Sequence, residues 1–323
     1  MLPDVDLSSM SHRLRLLVLI ILSGFGLFGV GSIQAQQSVS DEGSVVALTM
    51  NIRYDNPGDG VNAWPARKKT VAKYLKDSGA DFIGLQEATP PQLVEVAGAI
   101  DEYAFIARTR KKSGIGGEAT PLFWRVDRWT IDPVLQGTQW LSETPDVPGS
   151  KSWDSSLPRI VTWGRFIEKG TGRAIWVYNT HFDHRGAEAR LESGKLMARF
   201  IGSRKHADEP VVVMGDFNCL PESAPIKAMK GGAGPHPVKL VDAWAEANPQ
   251  ESDNATWNGW KVALEGRRID LILVSQGLHV KQSTIDRELV EGRPISDHWP
   301  VRVTFELSGG VGKGIKGNSK PGS

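Results

Sequence analysis

Short apolar runs rich in β-branched residues recur along the chain and predict buried strands. They lie at residues 45–50, 82–85, 175–179, 211–214 and 269–274. Residues 66–77 and 188–203 instead place apolar side chains at helical spacing, which predicts two amphipathic helices. Within residues 122–141 and within residues 160–179, strands follow one another with only turns between them. The mixture predicts an α/β sandwich with largely antiparallel sheets rather than a strict βαβ repeat.

The two ends of the chain differ in composition from the body. Residues 1–35 combine a positive start, an apolar run and small residues, a pattern typical of a cleaved export signal. An uncleaved anchor is the alternative, but the apolar run is shorter than the roughly 20 residues that a span needs. Residues 308–323 are rich in Gly, Lys and Ser, which indicates a flexible tail. We therefore expect one domain over residues 40–307, exported to the periplasm or the medium as a monomer without a membrane span.

Composition then excludes several classes of function. The 323 residues include 38 Lys and Arg against 37 Asp and Glu, so the net charge is +1. A dedicated binder of long nucleic acids usually has a marked basic excess, which this chain lacks. Cys219 is the only cysteine, and this excludes a disulfide framework, a Cys-based zinc finger and an iron–sulfur cluster. We interpret Cys219 as a packed residue rather than a nucleophile.

Polar side chains lie at the ends of many predicted strands. Any one of them has a structural explanation as a turn former or helix cap. Open α/β folds, however, concentrate their functional sites at one end of the strands, so we expect these residues to converge. They are Asn51, Gln86-Glu87, Thr180-His181, Asp216, Asn218, Asp270 and Asp297-His298.

This series, in this order and spacing, resembles the endonuclease/exonuclease/phosphatase superfamily, the deoxyribonuclease-I-like group of Mg²⁺-dependent phosphoesterases. The resemblance extends over residues 45–307, and residues 53–56, 142–146 and 181–186 resemble a secreted, deadenylase-like bacterial branch of it. It implies a four-layer α/β sandwich, with two mixed β-sheets packed face to face and helices outside.

The resemblance also implies a metal site. Glu87 is the expected principal ligand, with Asn51 beside it and Asp297 completing the shell directly or through water. Oxygen ligands without thiolates suit Mg²⁺ or Mn²⁺. Such an ion would polarise the phosphoryl group and stabilise the leaving oxygen.

The other polar groups have expected roles in the reaction itself. Asp216 is the candidate for orienting and deprotonating the attacking water. Asn218 follows at i+2 and would project to the same side of an extended segment. His298 is expected at the scissile phosphate, either as the imidazolium or as a base, with Asp270 fixing its tautomer and raising its pKa. His181 is expected to donate to a non-bridging oxygen in the transition state.

A further group of residues has more than one interpretation. His184 and Arg185 are candidates for a substrate-selecting rim or a second metal site, whereas Asp183 could instead cap the following helix. Glu118, in a glycine-rich loop, could border the site. Arg159 could bind phosphate, although an arginine beside a strand is usually an ion-pair partner.

The chain has 11 Trp residues, and those near the motifs could form a stacking floor for a sugar or base. Those candidates are Trp64, Trp153, Trp257, Trp260 and Trp299, whereas Trp129, Trp163 and Trp176 are expected in the core.

We therefore predict a secreted, divalent-metal-dependent phosphoesterase that hydrolyses a phosphodiester by direct water attack. A small molecule, a glycan, a lipid headgroup and a nucleic acid all remain possible substrates. The alternatives are a secreted nuclease for phosphate scavenging and a non-catalytic binding module on the same fold. The latter predicts loss of Glu87, Asp216, Asn218 or His298, all of which are present. A calcineurin-type phosphatase would need metal motifs that the sequence lacks.

Overall fold

A computed structural model of the chain describes residues 43–252, 254–262 and 266–307. The predicted export signal over residues 1–35 and the predicted tail over residues 308–323 lie outside the described residues. No helix in the described ranges is long and apolar enough to cross a membrane.

Two six-stranded sheets carry the described fold. The first has the spatial order β11 (His279–Ile285), β14 (Val301–Glu306), β1 (Ser44–Asn51), β2 (Phe82–Gln86), β4 (Leu122–Arg125), β3 (Tyr103–Ile106). The second has the order β5 (Trp129–Trp140), β6 (Ile160–Glu168), β7 (Ala174–His181), β8 (Val211–Asp216), β10 (Asp270–Ser275), β9 (Leu240–Asp242). In each sheet one neighbouring pair is parallel, β1 with β2 and β7 with β8, and the others are antiparallel. A small hairpin joins β12 (Leu289–Val290) and β13 (Arg293–Pro294).

The four longer helices pack on the outer faces of the two sheets, whereas the short fifth one contributes Ala243 to the apolar cluster between the sheets. The helices are α1 (Trp64–Asp77), α2 (Pro90–Ala99), α3 (Ala187–Gly202), α4 (Ala224–Gly231) and the short α5 (Ala243–Ala247), with a 3-10 helix at Pro57–Asn62. The five strands and two helices predicted from the apolar pattern all correspond to elements of the structure, with bounds that differ by at most two residues.

Alternation along the strands produces three apolar layers. In β8, Val212 and Met214 belong to the cluster between the sheets, whereas Val211 and Val213 belong to the cluster formed with α3 and α4. A third cluster packs the outer face of β1 and β2 against α1 and α2. Helices, sheet, sheet and helices therefore form four layers, and the predicted fold class is confirmed.

One buried amide ties the two sheets together behind the polar strand ends. Asn179 on β7 accepts from the Gln86 side chain of the other sheet at 2.7 Å, and it donates to the backbone oxygens of Leu85 and Pro121 at 2.8 Å each. Gly84 is needed here because a Cβ at this position would lie 2.7 Å from the Asn179 side chain. Gln86, taken from the sequence as part of a site motif, thus has a structural role next to the site.

Candidate active site

The carboxyl ends of both parallel strand pairs lie at one edge of the sandwich. Asn51 ends β1, and Glu87 directly follows the neighbouring β2. In the other sheet, His181 at the end of β7 pairs in register with Asp216 at the end of β8. Asp270 opens the antiparallel β10 directly opposite Asp216. Parallel pairing in each sheet therefore collects these side chains in one place.

Asn51 joins the polar groups of the two sheets. Its Nδ2 donates to Glu87 Oε1 at 3.2 Å and to Asp216 Oδ2 at 3.1 Å. Its Oδ1 accepts from the backbone of Arg53 at 2.9 Å, and the Tyr54 amide donates to Glu87 Oε2 at 3.1 Å. Glu87 and Arg53 have left-handed φ values of 60° and 55°. Non-glycine residues rarely adopt this conformation, and such strain clusters at functional sites.

An imidazole and two carboxylates form the buried part of the site. His298 Nδ1 lies 2.8 Å from Asp270 Oδ2, and its Nε2 lies 3.9 Å from Asp216 Oδ2. Burial alone would lower the pKa of His298, but the charges of Asp270 and Asp216 outweigh it and raise that pKa well above its ordinary value. Asp270 therefore stabilises a charged imidazolium through Nδ1–H, and its Nε2–H lies on the side of Asp216.

A second histidine contacts the same carboxylate and has the opposite electrostatic character. His181 Nε2 lies 3.4 Å from Asp216 Oδ2. Burial, reinforced by two nearby arginines, lowers the pKa of His181 well below its ordinary value, so its imidazole is neutral. The two histidines that flank Asp216 thus differ in charge, and a neutral imidazole can still donate one hydrogen bond.

Asn218 reaches the site by a different route from the one predicted. Its φ is 51°, so the segment after Asp216 is not extended, and the i+2 argument from an extended strand was wrong. The Asn218 amide N–H donates to Asp216 Oδ1 at 2.9 Å, and its side chain donates to the Phe182 oxygen at 3.1 Å. A tight turn therefore places Asn218 beside Asp216.

Asp297 is held in position from behind. The Ser296 hydroxyl donates to the Asn51 oxygen at 2.6 Å, which fixes the loop containing Asp297 to the end of β1. Arg67, a buried cation in α1, donates to backbone oxygens on both sides of this junction, namely those of Ile52, Arg53, Ile295 and Asn62. This role could not be predicted from the sequence, because Arg67 lies in a basic helix face that resembles a solvated one.

These groups surround a cavity of about 500 Å³, which is within the size range of small-molecule sites. Asn51 and Asp270 lie just beneath it and contact its lining residues. The lining comprises Arg53, Tyr54, Glu87, Arg110, Glu118, Leu157, Arg159, His181, His184, Asp216, Asn218, Trp257, Arg267, Ile269, Asp297 and His298. Sequence reasoning missed Arg110 and Arg267, which carry no motif.

The residues after His181 divide between rim and framework. His184 lines the cavity, whereas Arg185 is exposed and does not line it. Asp183 is buried and accepts from the backbone of Gly186 at 2.7 Å and from the Ser156 hydroxyl at 2.7 Å. Burial opposes the charged form, but these hydrogen bonds outweigh it and lower the pKa of Asp183. Asp183 is therefore a loop anchor.

The cap of the following helix comes from elsewhere in the chain. The amides of Glu188 and Ala189 in the first turn of α3 donate to the Asp154 carboxylate, at 3.3 and 2.7 Å. The interpretation of Asp183 as the helix cap was therefore wrong, because Asp183 accepts from the amides of Arg185 and Gly186, which precede the helix.

The aromatic floor predicted from five tryptophans reduces to one residue. Trp257 lines the cavity with 45% of its surface exposed, whereas Trp64 and Trp299 are buried in the core. Trp153 and Trp260 are half-buried and do not line the cavity. The predicted floor was therefore wrong in extent, because proximity in sequence to a motif does not set the direction of a side chain.

Two sets of side chains could hold a metal ion. Asp216, Asp270 and His298 place one potential ligand atom each within 4.8 Å of one another. In that set the Asp270–His298 contact occupies one histidine nitrogen. The predicted oxygen set of Glu87, Asn51 and Asp297 lies at the same cavity. Burial is the main cause that raises the pKa of Asp216 and of Asp297, and a second carboxylate adds to it in each case, Asp270 for Asp216 and Glu87 for Asp297. A bound cation would offset this repulsion. The oxygen-rich donors thus fit a hard divalent cation.

Comparison with known proteins agrees with this geometry. Residues 48–298 match the family model described as the Endonuclease/Exonuclease/phosphatase family. The chain belongs to this family. Its members are phosphoesterases and nucleases that typically use divalent metals, and the predicted superfamily is confirmed.

Two relatives of solved structure match at least 80% of this chain and at least 98% of their own. An endonuclease/exonuclease/phosphatase from Bacteroides vulgatus is 34% identical, with a TM-score of 0.75, and the match covers 82% of this chain and 99% of that one. The mannosyl-6-phosphatase of Bacteroides thetaiotaomicron is 33% identical, with a TM-score of 0.70, over 80% of this chain and 98% of that one. An uncharacterized protein of Acanthamoeba polyphaga mimivirus is 35% identical over 165 residues, which are 49% of this chain and 60% of the viral protein's length.

Proposed function

We propose that the protein is an exported, divalent-metal-dependent phosphoesterase that cleaves its substrate by direct attack of water. The observation that carries the proposal is the convergence of Glu87, Asn51, Asp216 and His298 at one cavity, through contacts of 3.1 to 3.9 Å that centre on Asp216 and Asn51. Phosphoryl transfer needs mainly positioning and charge stabilisation, and this constellation offers both.

Glu87, Asn51 and Asp297 are the residues that would hold Mg²⁺ or Mn²⁺. When bound there, the ion supplies Lewis-acid stabilisation of the phosphoryl and leaving oxygens. Arg53 Nε lies 3.9 Å from Asp297 Oδ2 and forms an ion pair with that carboxylate.

The protein's own groups handle the water and the proton. Asp216 orients the nucleophilic water and accepts its proton, because burial and the Asp270 charge raise its pKa and make it a stronger base. The charged His298 and the neutral His181 donate to the phosphoryl oxygens from either side of Asp216. Asn218, in its strained turn, completes the cradle. No covalent enzyme intermediate is required.

A phosphodiester is the substrate that we favour from the chemistry of the site. A sugar phosphomonoester is the second candidate, because the mannosyl-6-phosphatase relative is 33% identical over 98% of its length. Both substrates would use the same phosphoryl cradle, but a phosphomonoester has a further charged terminal oxygen where a phosphodiester carries its second ester group.

The test is a substrate panel with purified protein lacking residues 1–35. With Mn²⁺ or Mg²⁺ we expect hydrolysis of bis-p-nitrophenyl phosphate or of mannose 6-phosphate, loss of activity in EDTA, and loss in Asp216→Ala. Silence across diesters, monoesters, lipids and nucleic acids with both metals would instead support a binding module. Export is tested separately by expressing the full chain and sequencing the N-terminus of the exported form, which should begin near residue 36.

A further inference from the structure

Arg159 is a buried cation at the cavity that makes no hydrogen bond to any carboxylate of the described residues. It lies just before β6, is only 4% exposed, and lines the cavity. The carboxylate within ion-pair distance is Asp183, whose Oδ2 lies 3.6 Å from Arg159 Nε. Arg159 Nε is buried and has no hydrogen-bond partner among the described residues. A buried guanidinium in this state is costly unless something compensates its charge.

Asp183 offsets part of the charge of Arg159 but does not hydrogen-bond the guanidinium. Its two oxygens already accept hydrogen bonds from the Arg185 and Gly186 amides and from the amide and hydroxyl of Ser156. With these donors in place, the carboxylate is directed at the loops that it anchors. Since Nη2 donates to His184 and Nε faces Asp183, the donor of Arg159 that remains for a ligand is Nη1, which has no hydrogen-bond partner among the described residues.

His184 extends this donor group to the rim of the cavity. Arg159 Nη2 lies 2.9 Å from His184 Nδ1, and because arginine can only donate, Nδ1 must accept. A neutral His184 then carries its proton on Nε2, which becomes a second donor. Arg110 lines the same wall, but the carboxylate of Glu118 lies 2.6 Å from it.

Arg159 and His184 hydrogen-bond each other rather than the groups that handle the cleaved phosphoryl. His181, His298 and Asn218 already surround Asp216, where that phosphoryl is expected. The carboxylate within ion-pair distance of Arg159 is Asp183 rather than Asp216, so the guanidinium contacts the loop of Asp183 and His184, while its charge also acts on His181. A cavity of about 500 Å³ has room for a ligand that reaches both walls.

We infer that Arg159 and His184 form a subsite for a second anionic group of the substrate, a phosphate or a carboxylate, separate from the phosphoryl group that is cleaved. The inference rests on the proposed function for the placement of the cleaved phosphoryl. It identifies the substrate class as bis-anionic, for instance a sugar that carries two phosphates or one phosphate and one acid group.

The test compares three ligands that share one phosphoryl group. Non-hydrolysable phosphonate analogues of glucose 6-phosphate, glucose 1,6-bisphosphate and 6-phosphogluconate are titrated calorimetrically into the protein with Mg²⁺. We expect at least one bis-anionic analogue to bind about 10- to 100-fold more tightly than the mono-anionic one, the range for charge-assisted hydrogen bonds. The two bis-anionic arms distinguish a phosphate from a carboxylate.

Variants assign the preference to this subsite. Arg159→Gln should abolish the preference, and His184→Ala, at an exposed position that tolerates substitution, should reduce it. Arg185→Gln is the matched control, since it removes a neighbouring arginine that does not line the cavity, and it should keep the full preference. Thermal melting identifies any variant that fails to fold. If Arg159→Gln does not fold, the loss of preference in His184→Ala is the result that tests the subsite.

Two results would overturn the inference. One is equal affinity of the wild type for all three analogues. The other is an equal loss for all three in Arg159→Gln, which would place Arg159 at the cleaved phosphoryl instead. Because binding is measured without turnover, a bis-anionic preference in a protein that hydrolyses nothing would refute the proposed function and leave the subsite standing.

Discussion

Replacing Asp270 by asparagine is the sharpest test of how the site works. Asp270 is buried, and its Oδ2 accepts from His298 Nδ1 at 2.8 Å. Its Oδ1 is buried without a hydrogen-bond partner among the described residues, so the carboxylate serves chiefly His298. Asparagine keeps the shape and removes the charge that stabilises the imidazolium.

The size of the effect follows from this contact. A charge-assisted hydrogen bond contributes about 1.5–3 kcal/mol, and the Coulomb attraction of a pair about 4 Å apart is about 4 kcal/mol at an effective dielectric constant of 20. Since the two quantities overlap, we expect a loss of about 2–4 kcal/mol in transition-state stabilisation, or a 30- to 1,000-fold decrease in kcat.

The pH profile separates this role from a purely structural one. Removal of Asp270 lowers the pKa of His298, because that carboxylate is among the charges that raise it. The protonated imidazole is then lost at lower pH, so the alkaline limb of kcat should move to lower pH in Asp270→Asn. Assays of kcat against pH at saturating Mn²⁺, with the best substrate of the panel, measure both effects.

A neighbouring strand offers the matched control. Asp242 on β9 is buried and pairs with Arg268 at 2.6 Å, away from the cavity lining. Asp242→Asn breaks a buried ion pair and should cost about 3–5 kcal/mol of stability, but should leave the pH profile of the folded enzyme unchanged. If Asp270→Asn keeps kcat within about twofold of wild type, or both variants shift the profile alike, the reasoning is refuted.

Three further predictions concern the metal, the sheet junction and the loop anchor. Glu87→Gln should raise the Mn²⁺ concentration for half-maximal activity by about 10- to 100-fold, because it removes one charged ligand and the loss should resemble that of a charge-assisted hydrogen bond. An unchanged concentration would show that Glu87 is not a metal ligand. Asn179→Ala leaves the buried Leu85 oxygen without its Asn179 donor, whereas the Pro121 oxygen keeps the Leu85 amide, and the variant should lose about 1–3 kcal/mol of stability, read from urea midpoints. Asp183→Asn should destabilise the protein near neutral pH and reduce the fall of its melting temperature with pH below about pH 4. A carboxylate of depressed pKa stabilises the fold above its unfolded pKa, and this contribution is lost as the pH falls. Wild type and variant melting temperatures that fall in parallel with pH would contradict this.

Much of the fold was predictable because its strands carry a strong local signal. Runs such as Val211–Asp216 are buried on both faces, so they contain consecutive apolar residues that end abruptly in polar ones. The polar residues that follow the parallel strands come together because the carboxyl ends of those strands lie at the same edge of the sandwich. This is why Asn51, Glu87 and Asp216 could be predicted to meet, and the structure does bring them together.

The remainder depends on packing that no local pattern records. Arg110 reaches the cavity from a loop whose basic residues look solvated in the sequence. Gln86 looks catalytic beside Glu87, yet it turns into the interface between the sheets because Asn179 faces it. Asn218 needs a left-handed φ that only the folded turn imposes. Each depends on the relative position of two distant segments.

The location of a bound Mn²⁺ ion tests the account most directly. Crystals of the protein grown with Mn²⁺ give an anomalous difference map in which the ion is identified by its own scattering. We predict a peak in contact with the Glu87 carboxylate, on the Asn51 and Asp297 side of the cavity, with the Asp270–His298 hydrogen bond intact. A peak enclosed by Asp216, Asp270 and His298 with that hydrogen bond broken, or no peak at saturating Mn²⁺, would contradict it.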